Sequence, residues 1–273
     1  MKMKKVLCVT LVAACVFSMA ACGSKKEDKK EDKKASAEIK TVDDLEGKKI
    51  GVQLGTTGDL YMTGDLEDEG KATVERYNKG FEAVQALQQG KIDAVVIDDQ
   101  PAKTFVEENE GLKVLDMAYA EEDYAMCFKK DNEIVAKVND AIKALKADGT
   151  FDKILASYIG ETAGKDYYEV PADADTTKGE LVMATNAEFP PYEYYEGEEI
   201  KGIDADFAKA IAAKLGMSLK IEDMAFDSII TAVQGGKADF GAAGMTVTDE
   251  RKSQVDFSDS YYTGRQVIIV SDK

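Results

Sequence analysis

The sequence predicts an α/β fold, and three observations carry that expectation. Short apolar runs alternate with helical patterns along the chain, as they do where sheets and helices are layered. Residues 86–96, ALQQGKIDAVV, are echoed by residues 232–242, AVQGGKADFGA, with Ala, Gln, Gly, Lys and Asp at matching places. A helix end, a basic residue and an Asp before a strand form a common loop, so the echo is either that loop used twice or two lobes of one architecture. Two lobes imply a cleft between them. Residues 160–178, GETAGKDYYEVPADADTTK, lack apolar periodicity and read as a linker.

The strands expected in order are Lys49–Val52, Ala94–Ile97, Val114–Ala118, Tyr124–Phe128, Leu181–Ala184, Leu219–Glu222, Phe240–Ala243 and Val267–Val270. Between Glu133 and Ala147, residues Ile134, Val135, Val138, Ala141, Ile142 and Leu145 fall on one helical face. Gly149 caps that helix, a short one covers Phe151–Tyr158, and Asp204–Leu215 forms another, ended by Gly216.

At 273 residues the chain suits one large domain or two modest ones. A formal charge of −17 makes nucleic acid and anionic membrane surfaces poor partners. The absence of His removes the commonest general base and a common zinc ligand. No cofactor is expected.

Lys2, Lys4 and Lys5 precede an apolar run of 16 residues, Val6 to Ala21, short of the roughly 20 that span a bilayer, so residues 1–21 read as a signal peptide. The stretch Met19-Ala20-Ala21-Cys22 resembles a bacterial lipobox, with Met19 where Leu is more usual and Cys22 as the lipidated residue. Cleavage there leaves Cys22 and Cys127, one acylated and one alone, so no intramolecular disulfide is expected. Residues 22–37 contain KKEDKKEDKK and read as a charged flexible tether. The expected location is the outer face of the cell membrane, held by lipid.

Two long stretches carry a resemblance. The run LVMATNAEFPPYEYYEGEEIKGIDADFAKAIAAKLG, with MAFDSIITAVQGGKADFGAAGMTVTDERKSQVDFSDSYY after it, closely resembles the polar amino-acid-binding proteins of ABC importers. Residues 39–160 resemble the same family through VDDLEGKKIGVQLGTTGD, GKIDAVVIDDQPA and NDAIKALKADGTFDKILASYIG. In that family the two stretches come in the opposite order, which implies a circular permutation. The implied fold is a type II periplasmic-binding-protein-like one, each lobe a mostly parallel sheet flanked by helices. Residues 39–119, completed by 266–273, would form the small lobe. The large lobe would take 120–160 and 179–265, with 161–178 as linker.

A free α-amino acid needs one partner for its carboxylate and one for its ammonium, because an unpaired buried charge is very costly. Arg is the natural carboxylate clamp, and Arg251 in AAGMTVTDER matches the family's carboxylate-binding arginine, with Gly244 and Thr246 beside it. The Gly-Thr-Thr turn after Gln53 can form an anion-binding nest, and by family position Thr57 meets the carboxylate. Asp98 matches the amine-binding acid; Asp99 would point away into water, the exchanged assignment staying open. Phe189 and Phe226 match aromatics that sandwich the ligand side chain, while Tyr192, Tyr194 and Tyr195 read as surface or core. Asn186 and Gln53, two neutral amides, suit glutamine, whereas Glu188 nearby could pair with a cation or face water.

The resemblance thus implies a receptor that closes on glutamine or a cationic amino acid and delivers it to an ABC transporter permease. Two alternatives stand: a ligand-sensing lipoprotein for a signalling partner, and a small dehydratase-type enzyme using Glu193 or Glu188 as its acid.

Overall fold

The computed structural model describes residues 38–272. The expected signal peptide, the tether and Cys22 lie outside the described residues. In chain order the first elements are β1 (Lys49–Gln53), α1 (Thr57–Met62), β2 (Thr73–Tyr77), α2 (Gly80–Gln88), β3 (Ala94–Asp98), α3 (Asp99–Glu108), β4 (Leu112–Tyr124) and β5 (Cys127–Phe128). There follow α4 (Ile134–Ala147), α5 (Thr150–Tyr158), β6 (Glu180–Thr185), β7 (Glu188–Phe189), β8 (Glu193–Glu196), β9 (Glu199–Lys201) and α6 (Ile203–Leu215). The last are β10 (Ser218–Asp223), α7 (Ile229–Gln234), β11 (Phe240–Gly241), α8 (Asp249–Gln254), β12 (Asp256–Phe257) and β13 (Tyr262–Ser271).

Two sheets share one plan. The first runs β2-β1-β3-β13-β4 and the second β10-β6-β11-β5-β12. In each, the first three strands are parallel and the fourth is antiparallel to both its neighbours. Four strands therefore point one way and one against them. The reversed strand is supplied by the other lobe, since β5 follows β4 directly and β13 follows β12. These changeovers fall at 125–126 and 258–261, a few residues from the expected boundaries at 119 and 265. The reason is that β4 and β13 pair as one long antiparallel ladder, from Tyr262 opposite Tyr124 to Ser271 opposite Leu112, through polar residues that hide a strand from an apolar-run reading.

The internal echo has one geometry in both places. Gly90 and Gly236 end α2 and α7 at φ of 68° and 71°, a region open to glycine without strain. Asp93 then accepts from the backbone N–H of Lys49 at 2.8 Å, and Asp239 from that of Val182 at 2.7 Å. Each Asp ties the loop entering the third strand to the start of the central one.

β3 is buried along its whole length because both faces of the sheet are covered. Val95 and Ile97 pack with Ala83, Leu87 and Phe105. Ala94 and Val96 pack on the other side with Ile50, Met62 and Ile268. The edge strand β2, TVERY, escaped the sequence reading because Val74 alone of its five residues is buried. The connector after α5 is pinned at both ends: Gly164 N–H donates to Ser157 O at 2.8 Å, and Lys178 N–H to Gly216 O at 2.9 Å. Lys113 lies 3.9 Å from Glu38 and 3.2 Å from Asp272, so the first and last described residues are neighbours.

Candidate functional site

Parallel strands of one plan present their carboxyl ends to a crevice, the usual place for a ligand in open α/β sheets. Here the ends of β1, β3, β6 and β11 meet at one narrow cavity. It is lined by Gln53, Thr56, Thr57 and Asp98 from the first lobe, and by Asn186, Phe189, Glu193, Phe226, Ala243, Gly244, Thr246 and Arg251 from the second. All nine candidate binding residues named from the sequence are therefore brought together.

Arg251 is 4% exposed and points into this cavity from α8. Its guanidinium donates to Thr246 O at 2.9 Å and to Gly55 O at 3.0 Å, and it lies 5.4 Å from the Phe226 ring centre. Among the described residues no carboxylate is within ion-pair distance of it; the arginines that have such partners are Arg76 and Arg265. Burial consequently pulls its pKa down. A buried cation held by two carbonyls is a site for an anion.

Asp98 ends β3 and is 5% exposed. Burial, reinforced by the charge of Glu122, pushes its pKa up to about 7, while a hydrogen bond from Tyr124 pulls it the other way. Asp99 does not face water, as the sequence reading expected. It is 5% exposed, with ion pairs to Lys103 and Arg265 at 3.3 Å each, because it opens α3 under those side chains.

Gly244 is placed by a backbone at φ 53°, and a Cβ there would stand 3.0 Å from the Phe189 ring. Its N–H donates to Asp204 at 2.8 Å, so the carbonyl is the group it has left to offer. Asn186 is committed on both sides, accepting from Gln53 at 2.9 Å and donating to Met224 O at 3.0 Å. Glu188 pairs with Lys79 across the cleft. Tyr192 is core, Tyr194 half-buried and Tyr195 exposed.

Glu193 is fully buried at the cavity wall. Among the described residues no donor reaches either of its carboxylate oxygens, and its neighbour is the carboxylate of Asp204. Burial first, and then Asp204, raise its pKa well above the ordinary range. Asp204 is itself pushed up to about 6 by burial. Two acids buried side by side favour keeping a proton between them.

Residues 181–273 match the family model described as bacterial extracellular solute-binding proteins, family 3. By that stretch the chain belongs to the family. Its two sheets of one plan, flanked by helices, form the mixed α/β fold expected from the sequence. Residues 33–146 match a second model, described as NMT1/THI5 like. The arginine-binding extracellular protein ArtP of Bacillus subtilis (strain 168) is 46% identical over 96 residues, 35% of this chain and 38% of ArtP. The L-cystine-binding protein TcyJ of Escherichia coli (strain K12) is 33% identical over 129 residues, 46% of this chain and 47% of TcyJ. The family 3 chain thus spans less than half of the length of these curated relatives. Among solved structures, the arginine-bound form of domain 1 from TmArgBP is 40% identical, covering 35% of this chain and 82% of that one, with a TM-score of 0.30.

Two buried polar residues, Glu122 and Gln266, escaped the sequence reading although they touch cavity residues. Glu122 sits in AEED, which reads as a solvated charge run, and Gln266 lies just ahead of an apolar strand. Glu193 was named for an enzymatic role alone; its setting in YEYYE, between aromatics, was the signal for burial.

Proposed function

We propose that the chain is an extracellular receptor that closes its lobes on a free cationic amino acid, arginine first, and delivers it to an ABC importer. The observation that carries this reading is the buried guanidinium of Arg251 without a carboxylate, facing a cavity that also holds the acid Asp98. An α-carboxylate would pair with Arg251 in two charge-assisted bonds, and an α-ammonium with Asp98. Each lobe supplies one of these partners, so a ligand touching both favours the closed state.

Selectivity for a cation rests on Glu193 and Asp204. A ligand guanidinium or ammonium would supply the charge these acids lack, whereas the Asn186 amide that suited glutamine is already committed. The name of ArtP supports arginine as the first candidate. The expected lipid anchor at Cys22 would keep the receptor at the membrane beside its permease.

The order of segments is read as a circular permutation. The shared strand plan, the pinned connector at 161–178 and the meeting of Glu38 and Asp272 at Lys113 support it.

The test is a thermal-shift panel of the twenty amino acids on residues 35–273, with Arg251→Gln and Glu193→Gln beside the wild type. A ligand at a hundred times its dissociation constant adds about 2.7 kcal/mol. Arginine is expected to raise the midpoint most, Arg251→Gln to abolish the shift, and Glu193→Gln to weaken it for arginine more than for glutamine. A panel with no shift at millimolar ligand would overturn the receptor reading. A shift from glutamine alone would overturn the selectivity.

A further inference from the structure

Behind the cavity wall runs a chain of hydrogen bonds that nothing above uses. Neither Glu122, on β4, nor Gln266, on β13, lines the cavity, and they are 3% and 0% exposed. Oε2 of Glu122 accepts from Nε2 of Gln266 at 3.0 Å and from the hydroxyl of Thr246 at 3.0 Å. The same Nε2 of Gln266 donates to the hydroxyl oxygen of Thr57 at 3.3 Å.

We infer that Glu122 and Gln266 are positioning residues that set the donor and acceptor sense of the two threonine hydroxyls in the cavity, and thereby the orientation in which an amino acid binds. The inference rests on the receptor reading above.

A threonine hydroxyl has one proton and rotates to suit its surroundings. Thr246 has given its proton to Glu122, so it meets the cavity with lone pairs alone. It can accept from an ammonium and would repel a carboxylate. Thr57 is in the opposite state. Its oxygen already accepts from Gln266, so its proton is free for a carboxylate. Gln266 is held in this sense by Glu122, because turning its amide over would set oxygen against a carboxylate oxygen. Both protons of Nε2 are then spent, one at each end of the chain.

The two hydroxyls therefore agree with the two charges already described. Thr246 sorts with Asp98 as a seat for the ammonium, joined by the carbonyl of Gly244. Thr57 sorts with Arg251 as a seat for the carboxylate. A ligand entering the other way round meets a wrong hydroxyl at each end as well as a wrong charge. The wiring joins the two lobes through the bond from Thr246 to Glu122.

The test is calorimetry on the wild type, Glu122→Gln and Gln266→Met, with L-arginine, arginine lacking its amino group, and arginine lacking its carboxylate as probes. Compared at about pH 8, where Asp98 is ionised with or without the Glu122 charge, Glu122→Gln is expected to weaken L-arginine about ten-fold or more and to leave the amine-free analogue within about two-fold, since a hydrogen bond to a charged group is lost from the amine seat alone. Gln266→Met is expected to weaken L-arginine and the amine-free analogue alike, by about ten-fold, and to spare the carboxylate-free analogue. A mere packing role would lower all three probes together, and that outcome overturns the inference. So does unchanged affinity in both variants. If Glu122→Gln does not fold, as judged by circular dichroism, Gln266→Met decides by itself. A wild type that binds none of the amino-acid panel removes the receptor reading, and the inference with it.

Discussion

The phenol of Tyr124 donates to the carboxylate of Asp98, and its ring occupies the space that a side chain at residue 264 would need. A Cβ built on Gly264 would stand 2.3 Å from the Tyr124 hydroxyl. The missing side chain on β13 is what seats the donor on the proposed ammonium-binding acid. Gly264→Ala is expected to cost about 1–3 kcal/mol of stability by overpacking, visible as a drop of several degrees in the melting midpoint. Ligand affinity should fall with it. Tyr124→Phe, which keeps the ring and removes the donor, should lower affinity with a smaller change in midpoint, and an affinity equal to the wild type's would show the hydroxyl to be idle.

The buried acids set a pH dependence. Asp98 is raised from an ordinary 3.8 to about 7, chiefly by burial and next by Glu122, and Asp204 is raised to about 6 by burial. A folded-state pKa above the unfolded value means the native state holds the proton more tightly, so stability is full below about pH 4 for these groups and is lost as pH rises through about 6 to 7. The ligand-free midpoint is expected to fall across that window, and Asp98→Asn to flatten the upper part of the slope. Affinity for an amino acid should run the other way, rising through pH 7 as Asp98 ionises to meet the ammonium. Calorimetry at a series of pH values reads both trends.

Arg251 carries a charge that the ligand-free protein does not pair. Replacing it with a neutral residue of similar length should therefore leave the empty protein as stable or more stable, while affinity falls by about a hundred-fold or more. Arg251→Met tests this in one melting series with and without arginine. A large loss of stability in the ligand-free variant would mean that the contacts to Thr246 O and Gly55 O matter more than the buried charge costs.

Lys79 and Glu188 join the two lobes at the mouth of the cleft, beside the Gln53–Asn186 hydrogen bond. The pair is partly exposed, so its expected worth is about 0.2–1 kcal/mol and falls with salt. Glu188→Gln should speed ligand release a few-fold at low ionic strength and scarcely at high. Stopped-flow dissociation at both salt concentrations distinguishes this from a pair that carries nothing.

Much of the fold was legible because it is local. The run AVVI before Asp98 marks a strand buried on both faces, and Gly149 and Gly216 mark helix ends at φ of 79° and 80°. The echoed loops at 86–96 and 232–242 were legible as one loop type used twice or as two lobes, and in each the Asp ties its loop to the neighbouring strand in the same way. Resemblance then named the residues that meet in the cavity. Tertiary structure alone decided which polar side chains left water. Glu122 finds Thr246 at a separation of 124 residues and Gln266 at 144, contacts for which no nearby letter gives notice. Periodicity reports what a segment buries against its own sheet or helix. The burial of Glu122, Glu193 and Asp99, and the spending of Asn186 on Gln53, depend on which distant segment arrives opposite, and that is settled only when both lobes are folded.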